Sequence, residues 1–325
     1  AFALPKQGAT DEENEDSFSI DAASGTIAIS DGASSSFGAR VWSRALVDEA
    51  AVSAVPLSAS FVDGLMGPAA TRWRQHHEGG ELAWWAQEGL RRGGFATLLV
   101  VRIGKASQGR AWQAIAVGDS CVFHARKSGA GWQLLRAFPL ESAEAFGSHP
   151  MLLSSVSPAP SDGVELAGGR LAPGDVLLAA TDAVSEWLLA DDRRLSFAVE
   201  APIAEVAEAV REARTTHVMV NDDATFIRVR WADRPDAETS IAAKKSVVFE
   251  IEFDIRFHLL PRNAASRSAA TPARPWCCSE CGLHRSSRAR VRARPRCRRG
   301  PGRPRGCGPG SRSGSTAGSR PCRRR

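Results

Sequence analysis

The chain has 325 residues, 43% of them hydrophobic, enough for one large domain or two ordinary ones with a sizeable core. Its charge is divided: residues 261–325 hold 18 Arg, no Lys and one acid, Glu280, while the rest holds 24 basic and 35 acidic residues, so the net +6 describes neither part. Six of the seven cysteines share that basic segment, leaving Cys121 alone in the body; this excludes a disulfide framework there and suits a reducing cytosol.

Ser17–Ile20 and Thr26–Ser30 read as short strands around a turn at Ala23-Ser24-Gly25. Gly38–Ser53 is helical by its spacing, with Val41, Trp42, Ala45 and Leu46 on one face. Phe61–His77 and Glu81–Arg92 follow as helices split by Gly79-Gly80. The period then shortens: Ala96–Ile103, Ala111–Val117, Cys121–Arg126 and Trp132–Leu135 read as strands between mostly Gly-containing turns. Val164–Leu166 and Asp175–Ala180 are further strands, with Gly168-Gly169 and Pro173-Gly174 read as breaks between them. Ala183–Leu189 and Ile203–Ala213 are helices, and Ala224–Trp231 closes the body as a strand. Strands, helices, a meander and helices again predict an α+β body of mainly antiparallel sheets with helices outside. The nine Trp, Trp84-Trp85 among them, are expected in the core or in helix packing, and His76-His77 at a helix end is expected to be solvated or capping.

Residues 1–232 are therefore expected to form one domain. The stretch 233–243 reads as a linker, and Val247–Leu259 alternates apolar with polar as a strand does, either an added edge strand or a segment with no native partner. Residues 261–325 lack the aliphatic content to bury a core and are expected to be disordered. Their composition is that of a GC-rich gene read out of frame, which the intact mass of the natural protein would test. Cys278, Cys281, His284 and Cys297 hint at a zinc site without a framing strand or helix. The Arg run from Arg285 to Arg305 would bind nucleic acid only nonspecifically, having no aromatic residues for base stacking. No apolar run reaches membrane-spanning length and the first residues lack a signal-peptide pattern, so the cytoplasm is the expected location.

Four short acidic motifs carry the chemistry: Asn14-Glu15-Asp16, Ser30-Asp31-Gly32, Thr181-Asp182-Ala183 and Asn221-Asp222-Asp223. Three close apolar runs, Ile27–Ile29, Val176–Ala180 and Val218–Val220. A carboxylate at the end of a buried strand is costly unless something offsets its desolvation, and hard divalent cations do so with carboxylate, carbonyl and water oxygens. Gathered by the fold, these points would make a two-metal hydrolytic site. Singly, each pair is an ordinary turn or cap; Gly118-Asp119 reads equally as a tight hairpin, and Thr97 most simply as a strand residue.

In order, these motifs resemble those of the metal-dependent (PPM, type 2C) protein serine/threonine phosphatases, compact bacterial members in particular. Glu15-Asp16 matches the family's Asn-Glu-Asp, Asp31-Gly32 its Asp-Gly, Gly94–Leu98 its Gly-x-x-Thr, Gly118-Asp119-Ser120 its Gly-Asp-Ser, Gly174–Ala183 its Gly-Asp-x-apolar-Thr/Ser-Asp segment, and Asp222–Thr225 its Asp-Asp/Asn-x-Thr. The resemblance covers residues 8–231. It implies two packed antiparallel β-sheets flanked by helices, an α-β-β-α sandwich with two Mn2+ or Mg2+ ions at one end. By analogy Asp31 bridges both ions, Asp182 and Asp222 bind one, the Gly32 carbonyl binds the other, and Glu15 holds its water ligands. Asp16 supports these groups, and Asp119 matches the position of a third, weaker metal.

The implied activity is hydrolysis of phosphoserine and phosphothreonine in proteins by an activated water, in bacterial signalling opposite a Ser/Thr kinase. No cysteine-phosphatase loop competes in the body, because Lys127 stands six residues after Cys121. There are three departures, the first two of which favour an alternative, a catalytically weak regulator that binds metal or a phosphoprotein. Asp11 stands where many relatives have a phosphate-gripping Arg, Ala33 where some have a His, and Ala183 where Gly is common. Lys6 or Arg40 is left to supply a phosphate contact. A second alternative, nucleic-acid binding, rests on the basic segment alone.

Overall fold

The computed structural model describes residues 1–78, 83–105, 109–147, 149–231 and 249–251. The chain divides into units Ala1–Leu260 and Pro261–Arg325; the zinc, nucleic-acid and disorder expectations for 261–325, and the linker at 233–243, lie outside the described residues. In chain order come strands β1 (Phe2–Leu4), β2 (Ser17–Asp21) and β3 (Thr26–Ser30), then helices α1 (Ala39–Val52), α2 (Ala59–His77) and α3 (Trp84–Arg92). The meander follows: β4 (Phe95–Ala96), β5 (Leu98–Lys105), β6 (Arg110–Val117), β7 (Cys121–Ser128), β8 (Gly131–Phe138), β9 (Leu153–Ser154), β10 (Glu165–Leu171) and β11 (Val176–Ala180). Helices α4 (Asp182–Leu189), α5 (Asp192–Glu200) and α6 (Ile203–Thr215) precede β12 (Ala224–Trp231) and β13 (Phe249–Ile251).

Two antiparallel sheets result, one ordered β1-β12-β11-β7-β8 with β13 also on β12, the other β10-β6-β5-β3-β2. Strand alternation builds the four layers. In β5, Leu99, Val101 and Ile103 face the space between the sheets, where they meet Leu177 and Ala179 of β11, Trp112 and Ile227. Leu98 and Val100 point the other way, onto Trp42, Leu46, Phe61 and Trp73 of α1 and α2. Val176, Leu178 and Ala180 likewise face Val184, Leu188, Leu195, Val206 and Val210 of α4, α5 and α6. Strands covered on both faces have no polar side to show, which is why β3 and β11 read as unbroken apolar runs. Two packed antiparallel sheets flanked by helices, the expected architecture, are thus what the sequence folds into. No described helix is long and apolar enough to cross a membrane.

Several local expectations are corrected. Gly168-Gly169 is not a break: both lie inside β10, opposite Gln113 and Trp112 of β6. A Cβ on Gly169 would stand 2.7 Å from the Trp112 indole nitrogen, so this sheet edge uses glycine for close approach rather than for a turn. Val218–Val220 is a loop between α6 and β12, with both valines exposed and only Met219 buried. Trp84 and Trp85 stand 80% and 61% exposed on α3, not in the core. His76 is exposed as expected, whereas His77 is half-buried against the rings of Phe37 and Trp73. Of the alternating segment at 247–259, residues 249–251 pair with Val229–Trp231; the rest lies outside the described residues.

A polar cluster crosses the sandwich at the start of β11. Buried Asp175 accepts hydrogen bonds from Arg126 Nε and Nη2, His124 Nε2 and the Ala172 N–H, all at 2.8 Å. Trp112 Nε1, on the opposite sheet, donates to His124 Nδ1 at 3.3 Å, which places the imidazole proton on Nε2, facing Asp175. Burial alone would raise the Asp175 carboxyl, but the bonds from Arg126, Ala172 and His124 outweigh it and hold it below the ordinary value. Its stabilisation is therefore present above the ordinary carboxylate pKa and lost as pH falls below about 4. Asp175→Ala strands the His124 and Ala172 donors. It is expected to cost about 2 kcal/mol in urea unfolding at pH 7, with Mn2+ affinity unchanged, because Asp175 and Asp182 stand at opposite ends of the strand.

Candidate metal centre

Strand register brings the acidic motifs to one pole of the sandwich. In the second sheet Ser17 pairs with Ser30, and Leu98 with Val117, so the start of β2, the end of β3, the start of β5 and the end of β6 share an edge. In the first sheet Ala180 pairs with both Phe226 and Cys121, so the end of β11 lies with the starts of β12 and β7. The Gly118-Asp119-Ser120 turn joins β6 to β7 and thus ties these two edges together. Gly118 has φ +101°, and a Cβ there would meet Thr97 Cγ2 at 2.6 Å, so the turn that carries Asp119 needs glycine. Gly32 is pressed as closely: its Cβ would lie 2.8 Å from the Glu15 carbonyl oxygen.

Five of the seven expected residues feel one another at this pole. Asp31 is raised well above the ordinary carboxylate value by burial and by repulsion from Asp16, Asp182, Asp222 and Asp119. Burial, then Asp223 and Asp182, push Asp16 up to about 8. Asp182 is raised to about 7 by burial and by Asp119, Asp222 and Glu186, and Asp119 to about 6 by burial. Asp16 Oδ1 and Asp119 Oδ1 are buried without a hydrogen-bond partner. Glu15 and Gly32 stand beside this group. The Glu15 carboxylate accepts from Ser34 Oγ and Lys6 Nζ, the latter at 3.3 Å, and its N–H donates to Asp223 Oδ2 at 2.7 Å. Among the described residues no three His, Cys, Asp or Glu side chains stand in a ready ligating arrangement. Metal-free carboxylates that repel one another would have to close on an incoming ion.

Sequence reasoning missed the groups that position these acids. Thr97 is not a strand residue but sits between β4 and β5. Its Oγ1 accepts the Asp31 N–H at 3.0 Å and contacts Ser120 Oγ at 3.0 Å, while its own N–H donates to the Asp31 carbonyl at 2.8 Å. Thr181 Oγ1 donates to Asp16 Oδ2 at 2.9 Å and accepts the Thr225 N–H at 2.9 Å. Asp223 takes two N–H groups of the N-terminal segment, Lys6 at 2.7 Å and Glu15 at 2.7 Å. The available signal was that Thr181 and Asp223 lie beside motif acids and Thr97 within the Gly94–Leu98 motif; their partners are 23 to 217 residues away and could not be read locally. Asp222 also differs from expectation, because it lies in the loop two residues before β12 instead of at the end of a buried strand.

The arrangement is a four-layer sandwich with an acidic pole. No family model and no curated protein matches the sequence. Solved structures similar to the chain include the catalytic domain of the serine/threonine phosphatase PstP in complex with two manganese ions, at 16% identity and a TM-score of 0.47 over 70% of this chain and 96% of that one. Another is the serine/threonine phosphatase Stp1 from Staphylococcus aureus, at 15% identity and a TM-score of 0.48, covering 70% of this chain and 92% of that one. The photosystem II phosphatase PBCP shares 17% identity with a TM-score of 0.46, covering 70% of this chain and 95% of that one.

Proposed function

We propose that the body of this chain is a Mn2+- or Mg2+-dependent phosphoric monoester hydrolase acting on phosphoserine and phosphothreonine in proteins. The observation that carries this reading is the convergence of Asp16, Asp31, Asp119, Asp182 and Asp222, from five separate stretches, at one pole where burial and mutual repulsion raise four of them. The buried, unpartnered oxygens of Asp16 and Asp119 fit a cation better than any neutral environment. Asp31, Asp182, Asp222 and the Gly32 carbonyl would hold two ions, with Glu15 acting through water and Asp119 offering a weaker third position.

Bound there, divalent cations would screen the phosphate oxygens and acidify a water for in-line attack on phosphorus. The chain's own residues supply the order. Thr97 fixes Asp31 from both sides of its peptide unit, Thr181 orients Asp16, and Asp223 fastens the segment carrying Glu15 to the start of β12. A phosphorylated protein is the expected partner, with a Ser/Thr kinase acting in opposition in a bacterial cytoplasm.

Asp11, exposed on the loop before Glu15, and Ala33, following Gly32, favour a second reading in which the same centre binds metal or phosphoprotein with little turnover. Hydrolysis of p-nitrophenyl phosphate separates the two. The phosphatase is expected to need Mn2+ and to be silenced by EDTA; hydrolysis that persists in EDTA, or none with Mn2+ present, counts against it.

A further inference from the structure

The acidic pole presents a difficulty to a phosphate dianion, since carboxylates surround the place it must reach. Two cationic side chains feel the pole's field. Arg214 is buried, feels Asp223, Asp16 and Asp222, and turns its guanidinium to the carbonyls of Pro5 at 2.9 Å and Leu4 at 3.4 Å. Lys6 is 32% exposed and stands at the rim. Its Nζ donates to Ser34 Oγ at 2.9 Å, three residues beyond Asp31, and pairs with Glu15 Oε2 at 3.3 Å.

The backbone beneath Lys6 is clamped onto the loop that carries Asp222. The Lys6 N–H donates to Asp223 Oδ1 at 2.7 Å and the Gln7 N–H to Asn221 Oδ1 at 2.6 Å. The ammonium therefore has a rigid base and a soft tip, held by one hydroxyl and one carboxylate that a ligand can displace. Arg40, the other candidate cation, is committed elsewhere, with Nη1 donating to the Glu12 carbonyl.

We propose that Lys6 is the phosphate-binding cation of this centre, its ammonium swinging from Glu15 and Ser34 to a non-bridging oxygen of the phosphate monoester. This deepens the phosphatase reading and rests on it. Glu15 is freed for its part toward the metal when Lys6 moves, so one residue links phosphate arrival to the acidic group beside Gly32.

The test uses the full chain with Mn2+ and inorganic phosphate, read as a competitive inhibitor of p-nitrophenyl phosphate hydrolysis and by calorimetry. Lys6→Met is expected to raise the phosphate inhibition constant and KM about tenfold with a smaller change in kcat. Lys6→Arg should restore phosphate binding to within about threefold, and Mn2+ affinity measured without phosphate should stay within about threefold of the parent in both. An unchanged inhibition constant in Lys6→Met overturns the proposal, as does a loss matched by an equal loss of Mn2+ affinity. Equal damage in Lys6→Arg and Lys6→Met, with a lowered thermal midpoint, also overturns it by marking a structural role. If the parent protein hydrolyses nothing, the phosphatase reading fails. Calorimetry then decides Lys6 by itself: about tenfold weaker phosphate binding in Lys6→Met sustains it, whereas equal binding, or none in the parent, removes it.

Discussion

Asp31→Asn is expected to lower Mn2+-dependent turnover of p-nitrophenyl phosphate by more than about 100-fold, since even outer groups around a metal are commonly worth 10- to 100-fold. The same change should raise the thermal midpoint of the metal-free protein. Asp31 lies half-buried among Asp16, Asp182, Asp222 and Asp119, and its charged form is disfavoured there. An amide of the same shape removes that penalty, for a gain of about 1 kcal/mol, or roughly 2–4 °C for a body of this size. On the proposed reading the two effects have opposite signs for one reason: the carboxylate would be placed for a cation, not for stability. A variant with undiminished turnover, or one less stable than the parent without metal, would contradict this role for Asp31.

Metal-free stability should fall as pH rises from about 5 to 8. The four raised carboxyls lose their protons near pH 4 in the unfolded chain, but Asp119, Asp182 and Asp16 hold theirs in the fold until about 6, 7 and 8. Between these limits the native state binds more protons than the unfolded state, so alkali favours unfolding. With several groups contributing, the loss should reach about 3 kcal/mol across this window, or roughly 6–12 °C in thermal midpoint. On the proposed reading Mn2+ would take the place of those protons, so the midpoint shift on adding Mn2+ should be larger at pH 8 than at pH 5.5. Scanning calorimetry at the two pH values, with and without Mn2+, checks both. A metal-free midpoint that is flat or rises toward pH 8 contradicts the buried acidic pole.

Much of the fold could be read locally because its strands are covered on both faces. Thr26–Ser30 and Ala224–Trp231 were legible to the residue, since a run such as Thr26-Ile27-Ala28-Ile29 suits little else than a buried strand. What escaped was decided by distant partners. β1 is three residues long and exists because β12 offers Phe226 for Phe2 to stack upon, with ring centroids 5.4 Å apart. α5 was hidden by Asp191-Asp192-Arg193-Arg194. Its apolar stripe is only Leu195, Ala198 and Val199, and its C-terminal carbonyls are capped by Arg228 from β12, an interaction with no local signature.

At the site Asp31 and Asp182 announced themselves by strand-end position, whereas the residues that hold the acids did not. Thr97 and Thr181 look like ordinary strand chemistry until the register places their hydroxyls on Asp31 and Asp16. Lys6, 28 residues before Ser34, likewise had no spacing to mark it. Trp84 and Trp85 were misjudged for the opposite reason, because the expectation that large aromatic side chains are buried is a tendency and α3 packs chiefly through Ala86.

Calorimetric titration of the metal-free full chain with Mn2+, run in two buffers of different ionisation heat at pH 7, bears most directly on the centre. Saturable binding with proton release in the parent, lost in Asp31→Asn and Asp182→Asn, is the expected result. No binding by the parent, or binding that survives both substitutions, would mean that these carboxylates converge for some purpose other than holding metal.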